Sequence, residues 1–426
     1  MESLKLGDLC ELVTKGTTPT TLGMKLNQGS VNFIKVECLS EDGQLIREKI
    51  QNIDEDTHNK LKRSQLQVGD ILFSIAGSIG RMAIVTEDFL PANTNQAVAI
   101  LRPKIELVDT DFLFYSLRDV KSQGDARRRI VQSVQNNLSL GELSDLVIEL
   151  PSRATQVAIS SFMKVLDKKI SLNKSTSKTL EQIAQTFFKS WFIDFDPVKA
   201  KMAGEKPVGM DDATASLFPD SMEDSELGKI PKGWKVEPLS DIGEFRNGLA
   251  MQKFPVVDED SVLPVIKIAQ LRAGNTNGAD MASGLIDPKF VISDGDILFS
   301  WSGTLEIEHW AGGQGALNQH LFKVLGKTVP DWFIFYASRS HLPEFRRIAS
   351  GKATTMGHIQ RGHLAEAKVA VPPVELLTTI GELLSSSVAQ KVALVIQNRA
   401  LAELRGALLP RLISGELQIS EEMLVS

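Results

Sequence analysis

The chain states one pattern twice, about 220 residues apart, and any fold must accommodate both copies. Leu6-Gly7-Asp8-Leu9-Cys10-Glu11-Leu12 returns as Leu239-Ser240-Asp241-Ile242-Gly243-Glu244-Phe245, and Gly69-Asp70-Ile71-Leu72-Phe73-Ser74 returns as Gly295-Asp296-Ile297-Leu298-Phe299-Ser300. Asn95-Gln96 is echoed by Asn318-Gln319, Arg128-Arg129-Ile130 by Arg346-Arg347-Ile348, and Leu150-Pro151 by Val371-Pro372. Two similar halves place two similar sites about a pseudo-twofold axis. That arrangement suits a two-part target such as duplex DNA with paired half-sites.

Each half has the same internal order. Residues 1–151 carry short β-rich runs bounded by Gly, Asn or Pro, among them Val31 to Val36, Asp70 to Ile75 and Ala97 to Leu101, with a short helix expected over Asp111 to Leu117. From Thr155 to Phe195 Pro and Gly are absent, and Ile159, Phe162, Leu166, Ile170, Leu180, Ile183, Phe187 and Trp191 recur at mostly three- or four-residue steps. This pattern predicts one long helix within 152–195. Residues 196–234 are rich in Pro, Gly and acidic side chains and are expected to form an extended connector. A second strand-rich unit spans 235–373, a second long helix 374–415, and a tail 416–426. The two apolar stripes are expected to pack as an antiparallel pair. The fold class is thus α+β: two mixed strand-rich domains separated by two long antiparallel helices.

Composition excludes several classes. No apolar run approaches the roughly 20 residues of a membrane span, and the N-terminus lacks a signal-like stretch, so a cytoplasmic location without membrane contact is expected. Cys10 and Cys38 are too few for a disulfide framework and are expected to be buried and reduced. A net charge of −6 argues against a nucleic-acid partner until its location is considered. Between Gly204 and Gly228 seven acidic residues face one lysine, so that segment alone carries the whole excess. The remaining chain is neutral overall and leaves room for local basic patches such as Arg127-Arg128-Arg129 and Arg346-Arg347.

Asn93-Thr94-Asn95-Gln96 and Asn318-Gln319-His320 carry amides that can pair with adenine N6 and N7 in the major groove, and equally can cap turns; both readings stay open. The loops Ala76-Gly77-Ser78-Ile79-Gly80-Arg81 and Trp301-Ser302-Gly303-Thr304 offer amides and hydroxyls to phosphate, although Gly-Ser turns are common. The arginine doublets each precede a polar loop and a final strand, and their recurrence favours DNA over a merely solvated face. Catalytic signals are lacking. There is no Asn/Asp-Pro-Pro-Tyr/Phe string and no Gly-x-x-x-x-Gly-Lys-Ser/Thr loop. Asp331, Glu366 and Lys368 only faintly suggest a nuclease metal site. His358 and His363 lack companion ligands and read as surface or turn histidines.

The helix ends and connector are more specific. Leu180-Glu181-Gln182-Ile183-Ala184-Gln185-Thr186-Phe187-Phe188-Lys189-Ser190-Trp191-Phe192-Ile193-Asp194-Phe195-Asp196-Pro197, followed by Ala200-Lys201-Met202, closely resembles the central region of type I restriction-modification specificity subunits (HsdS). Leu217-Phe218-Pro219, Ser225 to Trp234, and Leu408 to Leu417 are similar to other strings of that family. The resemblance implies two target-recognition domains reading a split DNA sequence, with paired helices setting the distance, and a non-catalytic chain. It implies double-stranded DNA, two modification subunits and restriction subunits as partners, with S-adenosylmethionine, ATP and Mg held by those partners and no cofactor or metal in this chain.

On this reading the DNA-facing set in the first half is Lys15, Thr17, Ser78, Arg81, Asn95, Gln96, Arg128, Arg129 and Asn136. In the second it is Arg246, Lys253, Ser302, Thr304, Asn318, Gln319, His320, Arg346, Arg347, Lys352 and Thr354. Phe188, Trp191, Phe192, Leu409 and Leu412 are expected to dock the modification subunits. Half-site centres are expected about one duplex turn apart, on the order of 34 Å. The rival readings are a scaffold joining two protein-binding domains, and a solitary nuclease using Asp331, Glu366 and Lys368.

Overall fold

The computed structural model describes residues 2–19, 23–131, 137–257, 261–351 and 357–419. The chain divides into two units, Met1–Lys169 with Leu401–Ser426, and Ile170–Ala400.

In the first unit the strands are β1 (Glu2–Lys5), β2 (Cys10–Lys15), β3 (Val31–Ile34), β4 (Gln51–Ile53), β5 (Ile71–Ser74), β6 (Met82–Ile84), β7 (Ala92–Thr94), β8 (Val98–Pro103) and β9 (Val147–Leu150). The helices are α1 (Glu55–Lys60), α2 (Thr110–Arg118), α3 (Val120–Val131) and α4 (Leu140–Ser144), and the long α5 (Arg153–Phe188) starts here. An antiparallel sheet runs β2-β8-β5-β6, and a smaller one runs β4-β3-β7 with β3 and β7 parallel. β5 is buried at all its positions, which is why its sequence is a continuous apolar run and not an alternation. β1 pairs with β9, so the first and last strands close the globular part. Cys10 and Cys38 are buried and unbridged, and burial pushes the Cys10 thiol up to about 12.

The second unit repeats this plan. It holds α6 (Asp196–Met202), α7 (Asp212–Ser216), β10 (Met222–Ser225), β11 (Gly228–Pro231), β12 (Lys235–Pro238), α8 (Leu239–Ile242) and β13 (Gly243–Asn247). There follow β14 (Val262–Ile266), α9 (Ile268–Ala273), β15 (Met281–Ser283), β16 (Val291–Ile292), β17 (Ile297–Ser300), β18 (Ile307–His309), β19 (Gly315–Leu317) and β20 (Leu321–Gly326). It closes with α10 (Asp331–Ser340), α11 (Leu342–Ser350), α12 (Arg361–Glu366), β21 (Lys368–Val371) and most of α13 (Val374–Ile413). β13-β20-β17-β18 matches the larger sheet of the first unit, β14 and β19 repeat its parallel pair, and β12 pairs with β21 as β1 does with β9.

The repeated Gly-Asp-Ile-Leu-Phe-Ser string is architectural. Gly69 and Gly295 take φ of +86° and +95°, a left-handed conformation that a Cβ would penalise. The aspartates beside them accept backbone N–H groups, Asp70 from Gln67 at 2.7 Å and Asp296 from Ser293 at 2.8 Å, and each pairs with a cation on the neighbouring strand.

The extended connector expected over 196–234 is instead folded. Its composition concealed four anchors: Val198, Phe218, Ile230 and Trp234 are buried in the core of the second unit. Its acidic residues are used locally. Asp211 caps α7, Lys206 pairs with Asp212, Glu223 accepts from the Gly233 N–H, and Glu226 pairs with Lys368.

The long helices are close to the expected ranges. Ser152 Oγ accepts from the Thr155 N–H at the start of α5, and after Phe188 the chain makes a π turn over Lys189–Ile193. The break falls at Phe195, which takes a left-handed φ of +58°, and α6 then starts with Pro197 in its first turn, where its missing N–H costs nothing. In the first unit Ile159, Met163 and Leu166 of α5 share a core with Leu409, Leu412 and Ile413 of α13, and Asp167 pairs with Arg405. In the second, Asn173 Nδ2 donates to Gln397 Oε1 at 2.7 Å and Asn398 Oδ1 at 3.0 Å, while Glu181 meets Lys391 at 2.8 Å. Partner numbers fall on α13 as they rise on α5, so the helices pair antiparallel.

Candidate nucleic-acid interface

In the second unit three chain segments converge where β13, β17 and the β19–β20 turn end. Gly248, just past β13, donates its N–H to Leu321 O at 3.0 Å, the Leu249 N–H reaches Leu317 O at 2.9 Å, and the Gln319 N–H returns to Leu249 O at 2.8 Å. A Cβ on Gly248 would overlap the carbonyl oxygens of Leu317 and Asn318, so only glycine lets the strands approach this closely. Ser300 Oγ donates to Thr304 O at 2.6 Å and accepts from the Glu306 N–H at 2.8 Å, which fixes the Trp301 to Thr304 loop.

That framework gathers a polar and aromatic surface. Ser302 Oγ lies 3.0 Å from His320 Nδ1, and the Trp301 ring centroid lies 5.8 Å from His320 and 6.4 Å from His358. The Trp301 indole N–H donates to Asn247 Oδ1 at 3.0 Å and to Gln319 O at 3.1 Å. Thus Gln319 and His320 are brought together with Thr304, while Ser302 is buried and, against expectation, braces His320 from beneath instead of being presented. Asn318 is buried and its Oδ1 accepts from the His320 N–H, so it holds the turn and is not itself presented.

The first unit has the same construction with different side chains. Gly16 packs on the carbonyls of Thr94 and Asn95, where a Cβ would overlap them, and the Thr17 N–H donates to Thr94 O at 3.1 Å. Ser74 Oγ donates to Ser78 O at 2.6 Å and accepts from the Arg81 N–H at 2.8 Å, as Ser300 does in its own loop. Lys15 is exposed, and Gln96 is exposed and bonded to the Thr18 hydroxyl. Asn95 Oδ1 is buried without a hydrogen-bond partner. Asn93 is wholly buried, donating to Leu61 O and Ser64 Oγ, which makes it a structural amide.

The arginines are less open than the sequence implies. Arg81 pairs with Glu41 at 2.9 Å, Arg128 with Asp125, and Arg347 with Glu344 at 2.6 Å. Arg246 is held by Glu244 and Lys289 O, and alternation along β13 puts it on the face opposite Asn247. Arg346 Nε donates to Leu305 O at 3.1 Å, so this residue braces the loop. Exposed pairs of this kind are worth about 0–1 kcal/mol, little enough for a phosphate to displace the carboxylate. Lys253 is exposed. Asn136, Lys352, Thr354 and the Arg129 side chain lie outside the described residues.

The docking set requires correction. Phe188, Trp191 and Phe192 are 3–4% exposed and pack on Phe218, Trp234, Trp332 and Phe333, while Leu409 and Leu412 fill the core of the first unit. The globular parts cover the helix stripe, so these side chains form no docking surface. The nuclease set does not converge either. Asp331 accepts from the Gly326 N–H, Lys368 pairs with Glu226, and among the described residues no group of three His, Cys, Asp or Glu could hold a metal. His363 caps a turn, accepting from the Gln360 N–H at 3.0 Å. Gly16, Gly248 and Asn247 were missed by sequence reasoning, although both glycines occupy the same place in the repeat.

A family model described as "Type I restriction modification DNA specificity domain" matches residues 1–182 and 231–402. The chain is 25% identical over 419 residues to the type I restriction enzyme HindI specificity subunit of Haemophilus influenzae, covering 87% of this chain and 90% of that protein. It is 26% identical over 432 residues to the MjaIX specificity subunit of Methanocaldococcus jannaschii, with 98% and 93% covered. In fold it is similar to the crystal structure of a type I restriction-modification S subunit from M. genitalium, with a TM-score of 0.50, 13% identity, and 96% and 95% of the two chains covered.

Proposed function

Because this chain belongs to the type I restriction-modification DNA specificity family, we propose that each of its two units reads one half of a bipartite DNA target. The chain is the non-catalytic specificity subunit of a type I restriction-modification complex, and DNA and the other subunits of that complex are its partners. The observation that carries the two-half reading is the duplicated framework. In each unit a glycine packs on an Asn-Gln turn, and a serine-tied loop sits beside it.

Within this reading Lys15, Thr17, Ser78, Arg81 and Gln96 serve the first half-site, and Thr304, Gln319 and His320 the second, with Ser302 holding His320 in place. Arg128 and Arg347 exchange carboxylate for phosphate. Two modification subunits carry S-adenosylmethionine and methylate adenine N6, and restriction subunits supply ATP- and Mg-dependent cleavage. For docking, the exposed Leu172 and Ile183 on α5 replace the buried set. Work on host DNA places the chain in the cytoplasm on this reading; no single helix among the described residues is long and apolar enough to cross a membrane.

The test is to map methylated adenines in host DNA and in a strain lacking this chain. A split motif that disappears with the chain is expected. Methyl transfer by the purified single chain, or an unchanged methylation map, would refute the assignment.

A further inference from the structure

A lysine stands beside the Asn-Gln turn in each unit, at the same place in the repeat. Ile34-Lys35-Val36-Glu37-Cys38-Leu39 returns as Ile266-Lys267-Ile268-Ala269-Gln270-Leu271. β3 ends parallel to β7 with Ile34 opposite Thr94, and β14 ends parallel to β19 with Ile266 opposite Leu317. One residue further on are Lys35 and Asn95 in the first unit, and Lys267 and Asn318 in the second. Thr94 Oγ1 donates to Ile34 O at 2.7 Å, and the Asn318 N–H donates to Ile266 O at 3.3 Å, so each lysine is tied at its backbone to the turn beside it.

Local structure does not require a lysine there. Each one caps a short helical segment, the 3-10 turn Val36–Cys38 and α9. N-caps favour Ser, Thr, Asp and Asn because those side chains accept a backbone N–H, which an ammonium cannot do. The lysine N–H itself is met from three residues on, by Cys38 Sγ at 3.4 Å and by Gln270 Oε1 at 3.3 Å. Ion pairing does not account for the repeat either. Lys35 pairs with Glu37 at 3.4 Å, whereas the residue in Glu37's place is Ala269 and Lys267 pairs with Asp280 beside β15. The cation recurs, and its carboxylate does not. The Glu37 and Asp280 side chains are 55% and 70% exposed, so both pairs are solvated, weak and open to exchange.

The neighbours of the two lysines differ between the units. The residue before the packed glycine is Lys15 in one and Asn247 in the other, and the residue after the glutamine is Ala97 in one and His320 in the other. A phosphate contact positions the duplex and carries no sequence information, so it is a contact that two readers of different bases can share. Resting on the reading that each unit contacts a half-site, we propose that Lys35 and Lys267 are matching DNA-phosphate contacts, each gripping the backbone beside the bases its own unit reads.

The experiment uses the complex assembled with its cognate modification subunits, and measures binding to DNA carrying its motif and to a pool randomised across both half-sites, over a series of salt concentrations. Lys35→Gln and Lys267→Gln are each expected to weaken binding to all sequences alike, to keep every base preference, and to make the slope of log affinity against log salt shallower by about 0.9. Lys35→Arg and Lys267→Arg are expected to keep the wild-type slope. Glu37→Gln and Asp280→Asn, which remove the carboxylates, are expected to bind at least as tightly as wild type; if they reproduce the losses of the lysine variants, the lysines serve their ion pairs and the inference is overturned. An unchanged slope in either Lys→Gln variant, or a loss confined to one base position, also overturns it while the half-site reading stands. A wild-type complex without any sequence preference overturns the half-site reading itself.

Discussion

Asp70 and Arg102 face each other across β5 and β8 as a two-point pair, Oδ1 to Nε at 2.8 Å and Oδ2 to Nη2 at 2.9 Å, with the carboxylate wholly shielded from solvent. Removing one member of such a pair leaves an unmatched buried charge, so Asp70→Asn is expected to destabilise the first unit by about 3 kcal/mol in a denaturant titration. Asp296, held to Lys323 by one contact at 2.7 Å and partly solvated, should tolerate Asn at clearly smaller cost. Equal losses at both positions would contradict the distinction.

Glycine 16 and glycine 248 make a matched pair of tests. Ala at either position drives a methyl group into backbone carbonyls that cannot retreat, and overpacking of this kind typically costs about 1–3 kcal/mol. Gly16→Ala is expected to weaken selection at the first half-site only, and Gly248→Ala at the second only. Methylome sequencing of cells carrying each variant reads this directly, and loss of preference in both halves from one substitution would contradict independent readers.

Gln96 is exposed, so Gln96→Ala should leave thermal stability nearly unchanged. If its amide contacts a base, the expected penalty is about 1–3 kcal/mol confined to particular positions of the first half-site. A uniform loss over all sequences, with a shallower salt dependence, would assign it to phosphate contact instead.

His309 supplies a pH test. Burial, reinforced by the nearby Lys391 charge, lowers its pKa from 6.5 to about 3, so the folded chain holds it neutral while the unfolded chain protonates it. A depressed pKa stabilises fully above the unfolded value and loses that contribution as pH falls toward the folded one. Stability should therefore drop by about 2 kcal/mol between pH 6.5 and about pH 5, and His309→Gln should flatten that slope. Glu181 acts at lower pH. Burial raises its pKa, but Lys391 and Arg339 outweigh that and hold it below the ordinary carboxylate range, so its contribution persists until pH falls beneath that range. A wild-type slope indistinguishable from that of His309→Gln would count against the buried neutral imidazole.

The expectation that the helices set the half-site spacing is tested by matched insertions of four residues, after Thr176 in α5 and after Ala393 in α13. Each adds about 6 Å and slightly more than one turn. The spacer in the methylated motif is expected to grow by about one or two base pairs with both half-sites unchanged. Full activity on the original spacer would show that the helices do not act as a ruler.

Repetition made the domain plan legible, because equal strings at equal offsets demand equal folds; absence of Pro and Gly marked the first long helix, and the second, which holds Gly381, Gly406 and Pro410, was legible from its apolar periodicity. What escaped were relations between distant segments. Nothing near Asn247 announces that Trp301 will take its oxygen, and nothing in the stripe of Phe188, Trp191 and Phe192 says whether a partner or the chain's own α10 covers it. Apolar periodicity reports that a face is buried, not by what. Over 196–234 the count of acidic residues, Pro and Gly outweighed a few aromatic anchors, although those anchors decided the outcome.

The amides at Asn173, Gln397 and Asn398 behave as a detent. Asn173 is 2% exposed, and its amide N–H groups donate to acceptors on α13 in the observed alignment of α5 against α13. Sliding one helix past the other by a turn would strand a buried amide, at about 1–3 kcal/mol. The pair therefore resists gradual slippage under load, such as tension along bound DNA. If the pair acts as a ruler, its length can change only in whole steps, when residues enter or leave both helices together, and target spacings are expected to differ between variants by discrete jumps with no intermediate.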